Sequence, residues 1–272
     1  MRQVIANSMT ASKTTAWRPL GSGHADILAR VETHEFVRKL FEPLPRGKLL
    51  DVPAGRGAMS AWLHAQRFEV VACDLYPDLF EAPGIEVRRG DLNSRLPFAD
   101  REFDYLVCME GLEHTENPRQ AVREFARLVR PGGRLIISVP NVLNIDERVK
   151  NLLHGYTSHF KPISRAHLEK KRKEFAGWRN ELGELDEVFL HINPIAYPEL
   201  RFLLESDDFG SVEVFRDSRK QSQWLYYPLV WLIRLIGALR PAAKKEERWT
   251  RELNSDAVLM GGNSIVVMAK RI

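Results

Sequence analysis

Two hydrophobic periods alternate along this chain. From Ala25 to Phe41 apolar residues return at helical spacing (Ile27, Leu28, Val31, Phe36, Val37, Leu40, Phe41), and PLPRG at 43–47 ends the run. Short Val/Ile/Leu-rich runs then predict strands over 48–53, 69–74, 85–90, 103–109 and 134–140, with helices over 57–67 and 118–130 between them. PGG at 131–133 reads as a helix stop followed by a turn, and Pro140 closes the strand before it. Beyond Pro140 the pattern loosens, and 141–192 is mixed, charged and helical in parts. A helix returns over 194–210, a strand over 212–217 and a last strand over 264–271. Between those two strands runs a long connection, 218–263, that contains WLYYPLVWLIRLIGAL at 224–239.

Strands that alternate with helices call for a doubly wound, mostly parallel α/β sheet. Its units are a flexible tail over 1–20, a cofactor-binding half over 21–140, a lid and acceptor site over 141–193, and a closing part over 194–272 that carries the hydrophobic insertion. At 272 residues and 44% hydrophobic content the chain is long and apolar enough for one generous α/β domain. Cys73 and Cys108 both fall inside predicted strands, at a spacing that matches no metal motif, so they read as reduced core residues in a cytoplasmic protein. MRQVIANSMTASKTTAW has no apolar run of signal-peptide length. A net charge of +4 is too small to argue for nucleic acid, although 161–179 gathers seven basic residues against Glu169 and Glu174. That stretch reads as a solvated helix face, or as a surface for an anionic substrate or lipid headgroups.

Chemistry enters at the strand ends. Asp51, Asp74 and Asp91 each close an apolar run, and a parallel sheet brings such ends to one edge. Gly55 and Gly57 let backbone pass close to a ligand at the first strand-to-helix turn. Asp74 stands where a carboxylate accepts both hydroxyl protons of a ribose. A dinucleotide site would share these features, but it wants a third glycine where this chain has Ser60. Asp91 suits an exocyclic adenine amine.

With these residues, and most densely over GDLNSRLPFADREFDYLVCMEGLEHTENPRQAVREFARLVRPGGRLIISVPN at 90–141, the chain resembles class I S-adenosylmethionine-dependent methyltransferases. It looks most like the branch of ubiquinone-type O-methyltransferases. The resemblance runs from about residue 25 to 217, with 264–271 as the expected final strand, and implies a Rossmann-like sheet of seven strands. It implies further that the loop Asp51–Ala54–Gly55–Gly57 holds the methionine part of S-adenosylmethionine, Asp74 and Leu75 the ribose, and Asp91 and Leu92 the adenine. Met109 and Glu110 would line the same pocket. One departure stands at Pro53, where that family usually has glycine; proline fixes φ and lacks an N–H, so an altered turn is expected.

A sulfonium methyl is already activated, so alignment supplies most of the rate. A hydroxyl acceptor still has to lose a proton, and Glu113, His114 and His191 are the candidates for that work. In the ubiquinone-type branch the residues matching Glu110, Glu113 and His114 gather a divalent ion; no metal site is predicted here, because one imidazole among carboxylates suits Mg²⁺ only moderately. His114 could equally cap its loop, and nothing separates His154, His159 and His167 from surface histidines. The 224–239 run is too short to span a bilayer. It has several readings: an interfacial helix that reaches the membrane periphery, a cover for the acceptor pocket, a segment packed on the sheet, or a homodimer contact. The expected function is methyl transfer to a small, lipid-linked or saccharide acceptor, without nucleic acid. The alternatives are a noncatalytic methyltransferase-like binding module and a nicotinamide-dependent oxidoreductase.

Overall fold

The computed structural model describes residues 30–162, 164–174, 191–241 and 247–272. The expected tail over 1–20 and residues 175–190 of the expected lid lie outside these. Seven strands form one sheet: β1 Lys48–Asp51, β2 Glu69–Asp74, β3 Glu86–Arg89, β4 Phe103–Met109, β5 Val129–Pro140, β6 Phe209–Arg216 and β7 Ser264–Arg271. Their order is β3-β2-β1-β4-β5-β7-β6, with β7 antiparallel to both neighbours and the β1–β5 pairings all parallel. The chain reverses direction of travel across the sheet between β1 and β4, and the crevice at such a point opens at the carboxyl ends of the strands.

Adjacent residues of each strand feed opposite faces, which is why the inner strands carry near-continuous apolar runs while the edge strands β3 (EVRR) and β6 (FGSVEVFR) do not. Leu50, Leu106, Leu135 and Val267 belong to one core layer, and Leu49, Val107, Ile136 and Val266 to the other. Helices α1 (Val31–Phe41) and α2 (Ala58–Ala65) cover the second layer through Val37, Phe41, Met59 and Leu63. Helices α3 (Pro118–Leu128) and α6 (Tyr197–Ser206) cover the first through Val122, Phe125, Leu200 and Leu204. Asn117 starts α3 by accepting the Gln120 N–H, with Pro118 at the first helical position. Asn144 caps α4 (Ile145–His154) in the same way through the Glu147 N–H, and Gly155 ends it at φ +73. Helix α5 covers Arg165–Glu174.

Four boundaries differ from the sequence pattern. β1 stops at Asp51: the Val52 N–H still bonds to the Val107 carbonyl at 3.0 Å, but Pro53 has no N–H with which to extend the ladder. PGG does not separate α3 from β5: β5 already begins at Val129, which pairs with Phe103, and the ladder shifts register across Gly132 at φ +83. The helix expected to reach residue 210 ends at Ser206, where Asp208 turns left-handed at φ +62 and Phe209 opens β6. The insertion is a 3-10 turn, Gln221–Tyr226, followed by α7 (Tyr227–Leu239) and α8 (Glu247–Leu253). Tyr197 and Arg201 of α6 tie α8 down by hydrogen-bonding Glu252 at 2.9 and 2.7 Å. No described helix is long and apolar enough to cross a membrane.

Candidate functional site

All the predicted site residues lie at the carboxyl edge of the sheet. Asp51 ends β1 nearly sealed from solvent, and its Oδ2 accepts a 2.5 Å hydrogen bond from Ser60 Oγ in the first turn of α2. Burial pushes the Asp51 carboxyl up to about 7, while the Ser60 bond and its backbone N–H pull the other way. Ser60 therefore has a structural task that its role as a missing glycine did not reveal. The hydroxyl favours the charged carboxylate, so its loss is felt above the folded pKa, where Asp51 is ionised. Ser60→Ala is expected to cost ~2 kcal/mol at about pH 8 and nearer ~1 kcal/mol at about pH 6, read from urea midpoints at the two pH values.

The turn after β1 carries Pro53. Ala54 N–H bonds to the Cys73 carbonyl at 3.0 Å, Gly55 takes φ +53 and Gly57 φ +89. The Pro53 ring is received by Gly111, across the crevice after β4: a Cβ there would stand 2.4 Å from Pro53 Cδ and 3.2 Å from Cys108 Sγ. Gly111→Ala is expected to destabilise the protein by ~1–3 kcal/mol through this overlap, measurable as a lowered melting temperature.

Asp74 ends β2 almost fully buried, and its two oxygens accept N–H groups of Gly55 (2.8 Å) and Tyr76 (2.9 Å). Burial raises its pKa and these backbone bonds oppose the rise. The backbone N–H groups of Leu75 and Ala54 also face this carboxylate and oppose the rise. Leu75, directly after, is partly exposed. Asp91 follows β3; its Oδ1 accepts the Asn93 backbone and side-chain N–H groups at 2.8 and 3.1 Å, which fixes an Asx turn. Asn93 in turn accepts the backbone N–H groups of Glu116 and Asn117, joining this loop to the start of α3. Leu92 and Met109 are buried, and each packs in one of the two core layers.

After Met109 the backbone turns left-handed at Glu110, φ +48, an uncommon conformation for a non-glycine residue. Ser138 of β5 holds it three ways: its hydroxyl donates to Glu110 Oε1 at 2.9 Å, and its hydroxyl oxygen and carbonyl both accept the Glu110 N–H at 3.1 Å. Burial raises the Glu110 carboxyl to about 7, against the Ser138 and Ser264 hydroxyls; nearby Asp217 adds to the rise and Arg30 opposes it. Asp217, just past β6, accepts from Thr33 Oγ1 of α1 at 3.0 Å and from the Ser264 N–H at 3.3 Å. Thus α1, β5, β6 and β7 all add polar groups to the edge. None of these partners carried a signal in the sequence, because their proximity comes from strand pairing over long separations.

Glu113, His114 and His191 come together. A short 3-10 turn, Leu112–His114, carries the first two. The third arrives because the Ile192 and Asn193 N–H groups both bond to the Glu113 carbonyl, at 2.9 and 3.0 Å, and Asn193 Nδ2 donates to the Thr115 carbonyl at 3.2 Å. Ligating atoms of the three side chains lie within 4.8 Å of one another. The His114 and His191 rings meet edge to face at 4.8 Å, and His159 stacks on His191 at 6.2 Å. His159, indistinct in the sequence, therefore belongs to the site; His154 instead sits exposed beside Tyr156. Burial drives the His159 pKa down to about 4, and Glu147 works against it. Glu113 is fully buried with no hydrogen-bond partner on either oxygen, and burial together with Glu110 holds its pKa well above the usual range. Two imidazoles and an orphaned buried carboxylate fit a divalent ion of the zinc or iron kind better than Mg²⁺.

Residues 50–137 match a family model described as a methyltransferase domain. A demethylmenaquinone methyltransferase of Paenarthrobacter aurescens (strain TC1) is 33% identical over 121 residues, 42% of this chain and 47% of that protein. A ubiquinone biosynthesis O-methyltransferase of Xylella fastidiosa (strain 9a5c) is 37% identical over 108 residues, 36% of this chain and 44% of that protein. The aligned region thus spans about half the length of these curated relatives. Among solved structures, a SAM dependent methyltransferase from Archaeoglobus fulgidus superposes with a TM-score of 0.53 over 88% of this chain and 94% of that one, at 16% identity. A protein from Pyrococcus horikoshii OT3 does so with a TM-score of 0.53 over 89% and 90%, at 19% identity. These two likenesses are likenesses of fold.

Proposed function

We propose, from the premise that residues 50–137 are the core of a class I S-adenosylmethionine-dependent methyltransferase of the ubiquinone-type branch, that this chain methylates a hydroxyl oxygen of a small aromatic or lipid-linked acceptor. The observation that carries the reading is the convergence of Glu113, His114 and His191 beside Glu110, at the end of the strand next to the cofactor crevice. S-adenosylmethionine supplies a sulfonium-bound methyl that an acceptor oxygen displaces in line, the C–S electron pair leaving with sulfur.

The chain's residues divide the remaining work. Asp74 accepts the ribose hydroxyls, with Leu75 beside them. Asp51, Ala54, Gly55 and Gly57 shape the loop for the methionine part, and Asp91 with Leu92 marks the adenine end. Met109 and Glu110 form the wall between cofactor and acceptor. His114 or His191 receives the acceptor's hydroxyl proton at a ring nitrogen, with Glu113 beside them. A divalent ion held by Glu113, His114 and His191 would instead polarise the acceptor hydroxyl.

The test begins with calorimetric titration against S-adenosylhomocysteine, with NADH as control, followed by methyl incorporation into catechol-type acceptors. Binding of the first ligand alone and label on oxygen support the reading. Binding without label on any acceptor makes the chain a noncatalytic module, and NADH binding overturns the cofactor assignment. Of the partners open to residues 224–239, the exposed surface favours a bilayer over a second copy of this chain.

A further inference from the structure

Helix α7 touches the rest of the molecule along one narrow strip. Val230 and Gly237 are buried, and Ile233 packs with Val230 against Ile145 and Val149 of α4. Leu235 is half-buried, and the other residues of the helix are exposed. Tyr227, Leu229, Trp231, Leu232, Ile236 and Leu239 are exposed large hydrophobic residues, Leu239 at 72% and Trp231 at 65%. At 100° per residue these positions cover an arc of about 200° around the axis. Arg234 falls at one margin of that arc and Arg240 at the other, both exposed. On α4, Leu152 and Leu153 follow Val149 by three and four residues, on the same helix face, and are 84% and 68% exposed.

We propose that α7 and the end of α4 form a docking surface for an anionic lipid bilayer, with α7 lying in the plane of the interface. The breadth of the arc argues for lipid: a helix seated in a protein groove presents a stripe of about 100°, whereas an interfacial helix sinks its whole apolar side. The side chains are also distributed as an interface demands. Leucine and isoleucine lie between the margins, Tyr227 and Trp231 stand toward one of them, and Arg234 and Arg240 flank the arc, Arg234 with its guanidinium on Asp256.

Charge points the same way. From Trp224 to Lys245 the sequence holds Arg234, Arg240, Lys244 and Lys245 and no acidic residue. At the base of the helix three guanidiniums, of Arg216, Arg219 and Arg234, share the single carboxylate of Asp256, which leaves a net positive cluster. Phosphate-bearing headgroups complement it. The surface also adjoins the site edge. Gln223, just before α7, donates to the Gly261 carbonyl at 2.8 Å, three residues ahead of Ser264 beside Glu110. A bilayer bound there faces the acceptor side, whatever the acceptor is. The inference does not rest on the proposed methyl transfer.

The experiment is co-sedimentation of the full chain with phosphatidylcholine vesicles, with and without phosphatidylglycerol, alongside Trp231→Glu/Leu232→Glu. Both substituted side chains are exposed, so S-adenosylhomocysteine affinity and melting temperature serve as controls for folding. The wild type is expected to bind the anionic vesicles with a blue-shifted tryptophan emission. The double variant is expected to lose roughly a hundredfold in affinity for them with both controls unchanged. Equal binding to the two vesicle types overturns the anionic part of the proposal. Absence of the wild type from both overturns it whole, as does a dimer in light scattering that the variant splits while vesicles stay bare.

Discussion

Asp74→Ala is expected to weaken S-adenosylhomocysteine binding by about a hundredfold, the largest effect of any single substitution on the cofactor side. On the proposed role, two charge-assisted bonds to ribose hydroxyls at about 1.5 kcal/mol each give ~3 kcal/mol, which corresponds to that factor. The same side chain also holds the Gly55 and Tyr76 N–H groups, so part of the loss comes from a loosened loop. Calorimetry gives the affinity, and a thermal melt separates the contributions. A melting temperature lowered by only a few degrees with affinity gone locates the effect in the ligand contacts; retained affinity would remove Asp74 from the cofactor site.

His191→Ala is expected to act on the other side of the methyl. Turnover of a hydroxylated acceptor should fall by about 10²–10⁴-fold, the usual contribution of a placed proton acceptor, while S-adenosylhomocysteine affinity stays within about threefold. The reason is geometric: His191 reaches the cluster through the backbone bonds of Ile192 and Asn193 to Glu113, and none of its ring neighbours belongs to the strand-end acids. Metal analysis of the purified protein discriminates its role. Loss of a stoichiometric divalent ion in the variant makes His191 a ligand. Lost turnover with no ion in either protein makes it the base, and unchanged turnover makes it a wall of the pocket.

The acids at the strand ends were legible because a parallel sheet leaves two local marks at each, an apolar run and the polar residue that ends it. Asp51, Asp74 and Asp91 all carry both marks. The sheet and its strand count follow from the same alternation. What the pattern could not carry is proximity created by register. Pro140 pairs with Ser264 and Ser138 with Val266, so the hydroxyls around Glu110 come from segments more than a hundred residues apart. Ser60 was misweighted for a related reason: its hydroxyl serves Asp51, nine residues back, rather than the backbone at its own position. Boundaries failed where one residue in a left-handed conformation decides them, as Asp208 does before β6. His159 had no periodic context at all, and its burial and stacking on His191 distinguish it from the exposed His154.

Pro53 and Gly111 have a consequence for how this sequence can change over time. Because the proline ring occupies the space a Cβ at 111 would need, the two positions constrain each other although 58 residues separate them. A glycine at 53 vacates that space. Alanine at 111 should then be tolerated in a Pro53→Gly background and harmful in the native one, a sign of epistasis that a double-mutant cycle reads directly. Relatives that keep glycine in the first loop are correspondingly free to carry larger residues after the fourth strand, and lineages that acquire proline there lose that freedom.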